Sequence, residues 1–382
     1  MNSIPYGRQH ITEEDIKEVT QALQSDFLTQ GPAILSFEKA FATYVNAKYA
    51  VAVSNGTAAL HLAALALGVD EKSNVIVPDI TFAASANCIK YCGGTVTLVD
   101  VNAETATIDL DAVEKLLSSA PAGTFTGIVP VDFAGYAVDT EKLRTLADKY
   151  GLWILEDACH APGGYFVDSK GVKQFCGNGT YADLAIFSFH PVKHIACGEG
   201  GMITTNNKTL YEKLLLLRTH GITKDPALMH ENHGGWYYEM QELGYNYRLT
   251  DFQAALGTSQ LKRADEGLKR RREIASKYDA AFANSVVKPL AVQTSGENAY
   301  HLYVIQVSDR KGLYENLRAK NIYAQVHYIP VHMLPYYRNS GYKDARFPVA
   351  ESYYEKCLSI PMYPTLTDAE QAYVIEAILG YY

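Results

Sequence analysis

The chain has 382 residues, 48% of them hydrophobic, with 34 basic against 42 acidic side chains and a net charge of −8. That length allows two cores rather than one, and the apolar fraction excludes a disordered chain. The negative balance argues against a protein held to nucleic acid by phosphate contacts.

The N-terminus, "MNSIPYGRQHITEEDIKEV", lacks the basic-then-apolar layout of a signal peptide. Apolar stretches such as "AALHLAALAL" are much shorter than the ~20 residues a membrane span requires. The expectation is a cytoplasmic protein with no membrane partner. Cysteines at 88, 92, 159, 176, 197 and 357 show neither zinc spacing nor disulfide density and read as reduced thiols.

From residue 49, short β-branched runs alternate with helical patterns. "YAVAVSN" (49–55) precedes "TAALHLAALAL", whose alanine and leucine content favours helix. "NVIVPDI" (74–80) precedes "TFAASANCIKYC". "VTLVDV" (96–101) precedes "DLDAVEKLLSSA", with Asp109 as the N-cap. "GIVPVDF" (127–133) precedes a helix ending at Gly151. "WILEDA" (153–158), "LAIFSFH" (184–190) and "GMITTN" (201–206) complete seven strands. Near-continuous apolar runs separated by helices predict an α/β fold, with a mainly parallel sheet covered on both faces.

Beyond 207 the pattern changes. "NKTLYEKLLLLRTHG" and "RLTDFQAALGTSQLKRADEGLKRRREIASKYDAAFA" each read as a long helix. "HLYVIQV" (301–307), "GLYENLRAKN" and "YAQVHYIPV" read as strand, helix and strand. The division predicted is a large domain over 1–264 and a smaller α+β domain over 265–382.

Ligands of an open α/β sheet sit beyond the carboxyl ends of its strands, and three such ends carry unusual chemistry. In "SNGTAAL" a glycine turn leads into a helix opening at Thr57, which suits a phosphate. It is equally an ordinary strand-to-helix turn with a threonine cap, and neither nucleotide-binding glycine motif occurs. In "WILEDACHA", Glu156 and Asp157 place a carboxylate in the crevice; alone, a structural salt bridge explains them as well. His160 is open between a cap and a core residue.

The third end is "IFSFHPVKHIACGEGGMI", where Lys193 lies between two core-like runs. Most lysines snorkel out of loops, but the flanking apolar residues and small "ACGEGG" favour burial. His190 and His194 lack a third ligand and a helix to align them, so no metal is expected. A phosphate seat, a buried anion and a desolvated amine are the parts that pyridoxal phosphate requires.

The segments "SFHPVKHIACGEGGMITTNN", "ILEDACHAPGG", "SNGTAALHLA", "FLTQGP" and "GYNYRLTDFQAALG" resemble the DegT/DnrJ/EryC1/StrS sugar aminotransferases, almost end to end and in the same order. The resemblance implies the aspartate-aminotransferase-like fold of type I. It implies that Lys193 binds the cofactor covalently and that Asp157 pairs with the ring nitrogen. His160 would meet the ring hydroxyl, Phe82 would stack on the ring, and Thr57, Ala58 and Ser188 would hold the phosphate. Asn246 matches a residue that reaches the phosphate from the partner subunit, implying a homodimer with shared sites.

The amino donor usual in the family is L-glutamate, and the acceptor is a nucleotide-linked keto sugar. "VDFAG" (131–135) and "AQVHYIPVHMLPYY" (324–337) are similar to members of the pseudaminic acid pathway, which aminate C4 of a UDP-linked 4-keto-6-deoxy-N-acetyl hexosamine. Substrate contacts would then map to Tyr6, to Leu28, Thr29, Gln30 and Gly31, and to His327, Tyr328, Ile329 and Pro330. The last group is equally a tyrosine-rich edge of the small domain. Other UDP- or dTDP-linked keto sugars fit much of the same pattern.

Sugar 3-dehydratases of this fold carry histidine in place of the lysine, and a regulatory protein of this fold would be expected to lose Lys193 or Asp157. Both residues are present. A nicotinamide oxidoreductase would need the missing glycine fingerprint.

Overall fold

The computed structural model of the chain describes residues 3–382. Among these, seven strands form the largest sheet, ordered Tyr49–Val53, Gly201–Thr205, Leu184–Ser188, Trp153–Asp157, Gly127–Ile128, Asn74–Pro78 and Thr95–Val99. These are the runs expected from the sequence. Gly201–Thr205 is antiparallel to both its neighbours, and the other pairings are parallel.

Helices α1 (Glu13–Leu23) and α2 (Pro32–Val45) precede the sheet. Helices α3 (Gly56–Ala66), α4 (Ala84–Tyr91), α5 (Leu110–Ser119) and α6 (Thr140–Tyr150) alternate with its strands, and α7 (Lys208–Arg218) follows it. Both faces are covered, which is why the strands are apolar on both sides. Leu60 and Leu62 of α3 and Ile89 of α4 pack with Val77 and Ile186. Val113 of α5 and Leu143 of α6 pack with Ile76, Ile128 and Ile154.

Local signals act as expected at two helix ends. Asp109 accepts from the N–H groups of Asp111 and Ala112, and Gly151 ends α6 at φ 69°. At α3 the cap differs from the threonine reading: Asn55 is the N-cap, accepting from Ala58 N–H at 2.8 Å, and the helix already begins at Gly56.

Two further expectations are corrected. The charged stretch after 247 is two helices, α8 (Asp251–Leu261) and α9 (Ala264–Phe282), broken at Arg263, where φ is −120° and ψ 17°. Tertiary packing overrides a continuous helical pattern there. Helix α8 lies along α1 and α2, whereas α9 turns away, with Leu268 in the core beside α2 and Ile274, Tyr278 and Phe282 in a C-terminal core.

The run "YAQVHYIPV" gives only its first residue to a strand, the short Ile322–Tyr323 paired with Ile4–Pro5, and then an isolated bridge from Gln325 to Ser359. Its end is tied to the central sheet's side: Val331 N–H donates to the Asp79 carbonyl at 2.9 Å, and the N–H of the next residue, His332, to the Asp79 carboxylate at 2.9 Å. The C-terminal sheet instead takes Cys357–Ile360 beside Tyr303–Gln306 and Lys288–Pro289.

The two parts of the chain share a core. Ile80, Val101 and Phe133, beyond the sheet's strand ends, pack with Leu302, Val304 and Tyr353. No helix among the described residues is long and apolar enough to cross a membrane.

Candidate active site

A cavity of about 700 Å³ opens beyond the carboxyl ends of the central strands. Thr57, Ala58, Phe82, Asp157, His160, Ser188 and Lys193 all line it, together with Tyr6, His327 and Tyr328. The three strand ends singled out in the sequence therefore meet in one place.

The floor of the cavity at α3 depends on close backbone approach. A Cβ on Gly201 would stand 2.4 Å from the Asn55 carbonyl oxygen, and one on Gly56 would stand 3.0 Å from Ser188 Cβ. Glycine at both positions lets the start of α3 sit against the end of strand Leu184–Ser188. The N–H of Ala58 is engaged by Asn55. Those of Gly56 and Thr57 have no acceptor among the described residues, as expected of the first turn of a helix. Free N–H groups at the positive end of α3, beside the Ser188 hydroxyl, form a cradle for an anion.

Asp157 ends strand Trp153–Asp157 and is 5% exposed. Its Oδ2 accepts from the Ser85 hydroxyl at 2.7 Å and its Oδ1 from Cys159 N–H at 3.2 Å. Two donors leave part of a buried carboxylate's accepting capacity unfilled. The neighbouring Glu156 belongs to a separate buried cluster with Asp132 and Cys176. Burial pushes the Asp132 carboxyl up to about 6 and Glu156 well above the carboxylate range. Glu156 accepts from Gly177 N–H at 3.0 Å. Of the two carboxylates in "WILEDACHA", Asp157 is the one on the cavity.

Lys193 follows the strand Leu184–Ser188 through a turn in which its N–H donates to the His190 carbonyl at 2.9 Å. The side chain reaches back into the cavity. Burial pulls its amine below the ordinary lysine range, against the opposing pull of Cys159 and Asp157. A lysine with less affinity for its proton is a better nucleophile toward an aldehyde.

His160 is 4% exposed. Its Nδ1 accepts from Ala134 N–H at 3.3 Å, so the proton of the neutral ring sits on Nε2, which lies 3.2 Å from the Tyr328 hydroxyl. Burial, reinforced by Lys193, holds this imidazole well below the usual histidine range. Phe82 is 59% exposed and lies with its ring centroid 6.0 Å from that of Tyr328.

Other predicted positions lie elsewhere in this chain. Leu28, Thr29 and Gln30 are exposed, and Gly31 donates its N–H to Asp251 at 2.8 Å. Ile329 is exposed and Pro330 is buried, and neither lines the cavity. Asn246 is also exposed outside it, bridging to Thr219. His190 is exposed, while His194 is turned to the Ala299 carbonyl at 2.8 Å, so the two do not form a metal pair.

Sequence reading missed Ser85, Asn55 and His301, which line the cavity or support its groups. His301 was visible only as a histidine opening an apolar strand, a position that does not announce its side chain's target.

The family profile of the DegT/DnrJ/EryC1/StrS aminotransferases matches residues 9–379. The chain is 40% identical to the spore coat polysaccharide biosynthesis protein SpsC of Bacillus subtilis, over 98% of the chain and 96% of that protein. It is 37% identical to the UDP-4-amino-4,6-dideoxy-N-acetyl-beta-L-altrosamine transaminase of Campylobacter jejuni, over 99% of the chain and 97% of the relative. Spr1654 of Streptococcus pneumoniae, solved in its PLP-form, superposes with a TM-score of 0.90 at 31% identity, covering 99% of this chain and 98% of that one.

Proposed function

The chain belongs to the DegT/DnrJ/EryC1/StrS family of pyridoxal-phosphate-dependent sugar aminotransferases, and on that premise we propose its substrates and the roles of its residues. The amino group passes from L-glutamate to C4 of a nucleotide-linked 4-keto-6-deoxy sugar, of the UDP-4-keto-6-deoxy-N-acetyl-altrosamine type found in the pseudaminic acid pathway. The observation that carries this reading is that the Lys193 amine, the Asp157 carboxylate and the start of α3 open on one cavity.

The residues present fit the cofactor. The unengaged N–H groups of Gly56 and Thr57, with the Thr57 and Ser188 hydroxyls, would take its phosphate. Asp157 would hold the proton on the ring nitrogen, Phe82 would cover a ring face, and His160 would meet the ring hydroxyl. When bound, pyridoxal phosphate supplies an aldehyde that captures amines and a ring that accepts an electron pair.

The chain's own part is to position groups and move protons. Lys193 would hold the cofactor, and its free amine would serve as general base and acid beside the reacting carbon. Asp157, held by the Ser85 hydroxyl and the Cys159 N–H, would present its carboxylate to the ring nitrogen. His160 and Tyr328 line that face, each packed against the buried Phe133 with centroids 6.0 Å apart.

Acceptor contacts are assigned to Tyr6, His327 and Tyr328 on the cavity wall. Leu28, Thr29, Gln30, Gly31, Ile329 and Pro330 are assigned by resemblance alone. The "VDFAG" segment and the 37% identical transaminase support the UDP-linked acceptor.

The test is to incubate the holoenzyme with L-glutamate and a panel of UDP- and dTDP-linked 4-keto sugars, and to identify products by mass spectrometry. Amination of the UDP-linked N-acetyl acceptor in preference to the dTDP sugars is expected. Amination of dTDP sugars alone would overturn the acceptor assignment.

A further inference from the structure

His301 is delivered to the cavity from the C-terminal part of the chain and fixed there from both sides. The buried Arg271 of α9 donates to the carbonyls of Tyr300, His301 and Met362 at 3.1, 3.2 and 2.9 Å. From the other side, Ala299 N–H donates to the Gly135 carbonyl at 2.9 Å and Leu302 N–H to the Ala134 carbonyl at 3.3 Å. The imidazole that results is 4% exposed, with its Nε2 3.4 Å from Lys193 Nζ. Among the described residues this ring is the hydrogen-bond partner of the amine. Its Nδ1 is buried with no partner among the described residues.

The surroundings of the pair are short of acceptors. His160 packs on His301 with centroids 4.3 Å apart, and His194 lies at 5.8 Å. His160 has its Nδ1 taken by Ala134 N–H, and His194 Nε2 faces a carbonyl and so carries the proton. His327 is turned to Ser359 at 2.8 Å. Arg271 adds a fixed positive charge behind the ring, while the Asp157 carboxylate and Cys159 thiol act on the lysine. Burial, followed by Lys193, His160, His194 and Arg271, holds His301 far below the usual histidine range, so it is neutral at physiological pH.

A lysine that both captures an aldehyde and carries a proton must be stable in two states. Desolvation favours the neutral amine, and a buried ammonium with no acceptor is costly. A neutral imidazole lone pair compensates in part, because hydrogen bonds to a charged donor are stronger than those to a neutral one. We propose that His301 is the positioning residue of Lys193: its Nε2 accepts a hydrogen bond from the free amine, orients it in the cavity, and keeps its proton affinity high enough for it to act as an acid. No bond forms or breaks in this role; the proton stays on nitrogen Nζ while His301 supports it.

The inference rests on Lys193 being the working amine, and its test does not depend on turnover. The full chain, cofactor-free and carrying labelled lysine side chains, is titrated by NMR, with the Lys193 signal identified by its loss in Lys193→Met. His301→Leu removes the acceptor and should lower the Lys193 midpoint by about one pH unit, a tenfold loss of proton affinity. His301→Gln restores an acceptor and should recover most of that shift.

A midpoint unchanged or raised in His301→Leu, or displaced equally by both substitutions, overturns the proposal. Should His301→Leu fail to fold, the reciprocal measurement decides. In Lys193→Met the Nε2 shift of His301 should move away from its hydrogen-bonded value, and an unchanged shift is contrary. A wild-type chain that binds pyridoxal phosphate through another lysine would instead overturn the reading of Lys193 itself.

Discussion

At the scale of single residues, the site is a set of buried polar groups each given only part of what it needs. Among the described residues, Asp157 has Ser85 and Cys159 as donors and no cationic side chain bonded to it. Lys193 has burial pulling its proton off against Cys159 and Asp157, and one imidazole beside its amine. Groups left incomplete by the protein alone are matched by a ligand with a basic ring nitrogen and an aldehyde. Replacing Asp157 by Ala removes the anion but not the phosphate seat at α3. Asp157→Ala should therefore still bind pyridoxal phosphate, while the single-turnover rate with L-glutamate falls ~100-fold or more, about 3 kcal/mol of transition-state stabilisation. A near wild-type rate, read by stopped-flow absorbance, would contradict the role given to Asp157.

At the scale of elements, the sequence is legible where one local rule dominates. The central strands are uninterrupted apolar runs, and Asp109 and Gly151 mark helix ends by their own chemistry. It is less legible where tertiary contacts decide. Nothing local at Arg263 says that α8 must follow α1 while α9 leaves for another core. The run after Tyr323 alternates like a strand, yet it makes only an isolated bridge to Ser359 before Asp79 takes hold of its end. Four-residue Cys357–Ile360 carries too little pattern to be seen.

The exposed segment holding Asn246 belongs to this scale as well. Its place outside the cavity of its own chain supports the reading that it completes a second copy's site. Mixing inactive Lys193→Ala with inactive Asn246→Ala chains should then restore part of the activity, because one site of each mixed dimer would be intact. No restoration after verified exchange of chains would contradict shared sites.

At the scale of the whole molecule, the cavity lies where two bodies of chain meet. The central sheet supplies Asp157, Ser188 and Lys193, and the C-terminal part supplies His301, His327 and Tyr328. We propose a division near residue 265, with α9 spanning both: Leu268 packs beside α2 and Tyr278 in the C-terminal core. Ile4 also packs in that C-terminal core, so the chain's start crosses to the far body. Asp157 and Lys193 were legible because strand ends predict where ligands bind, whereas Ser188 came from the family resemblance. His301 was not legible, because its role depends on how the second body docks. Membership of the aminotransferase family and the geometry of the cavity both support the proposed attachment of the cofactor at Lys193.

The most direct measurement is to load the full chain with pyridoxal phosphate, fix the adduct with borohydride, digest it, and map the modified peptide by mass spectrometry. The prediction is a single pyridoxyl group on Lys193, absent from Lys193→Ala. A label on another lysine, or one that survives in Lys193→Ala, would contradict the account.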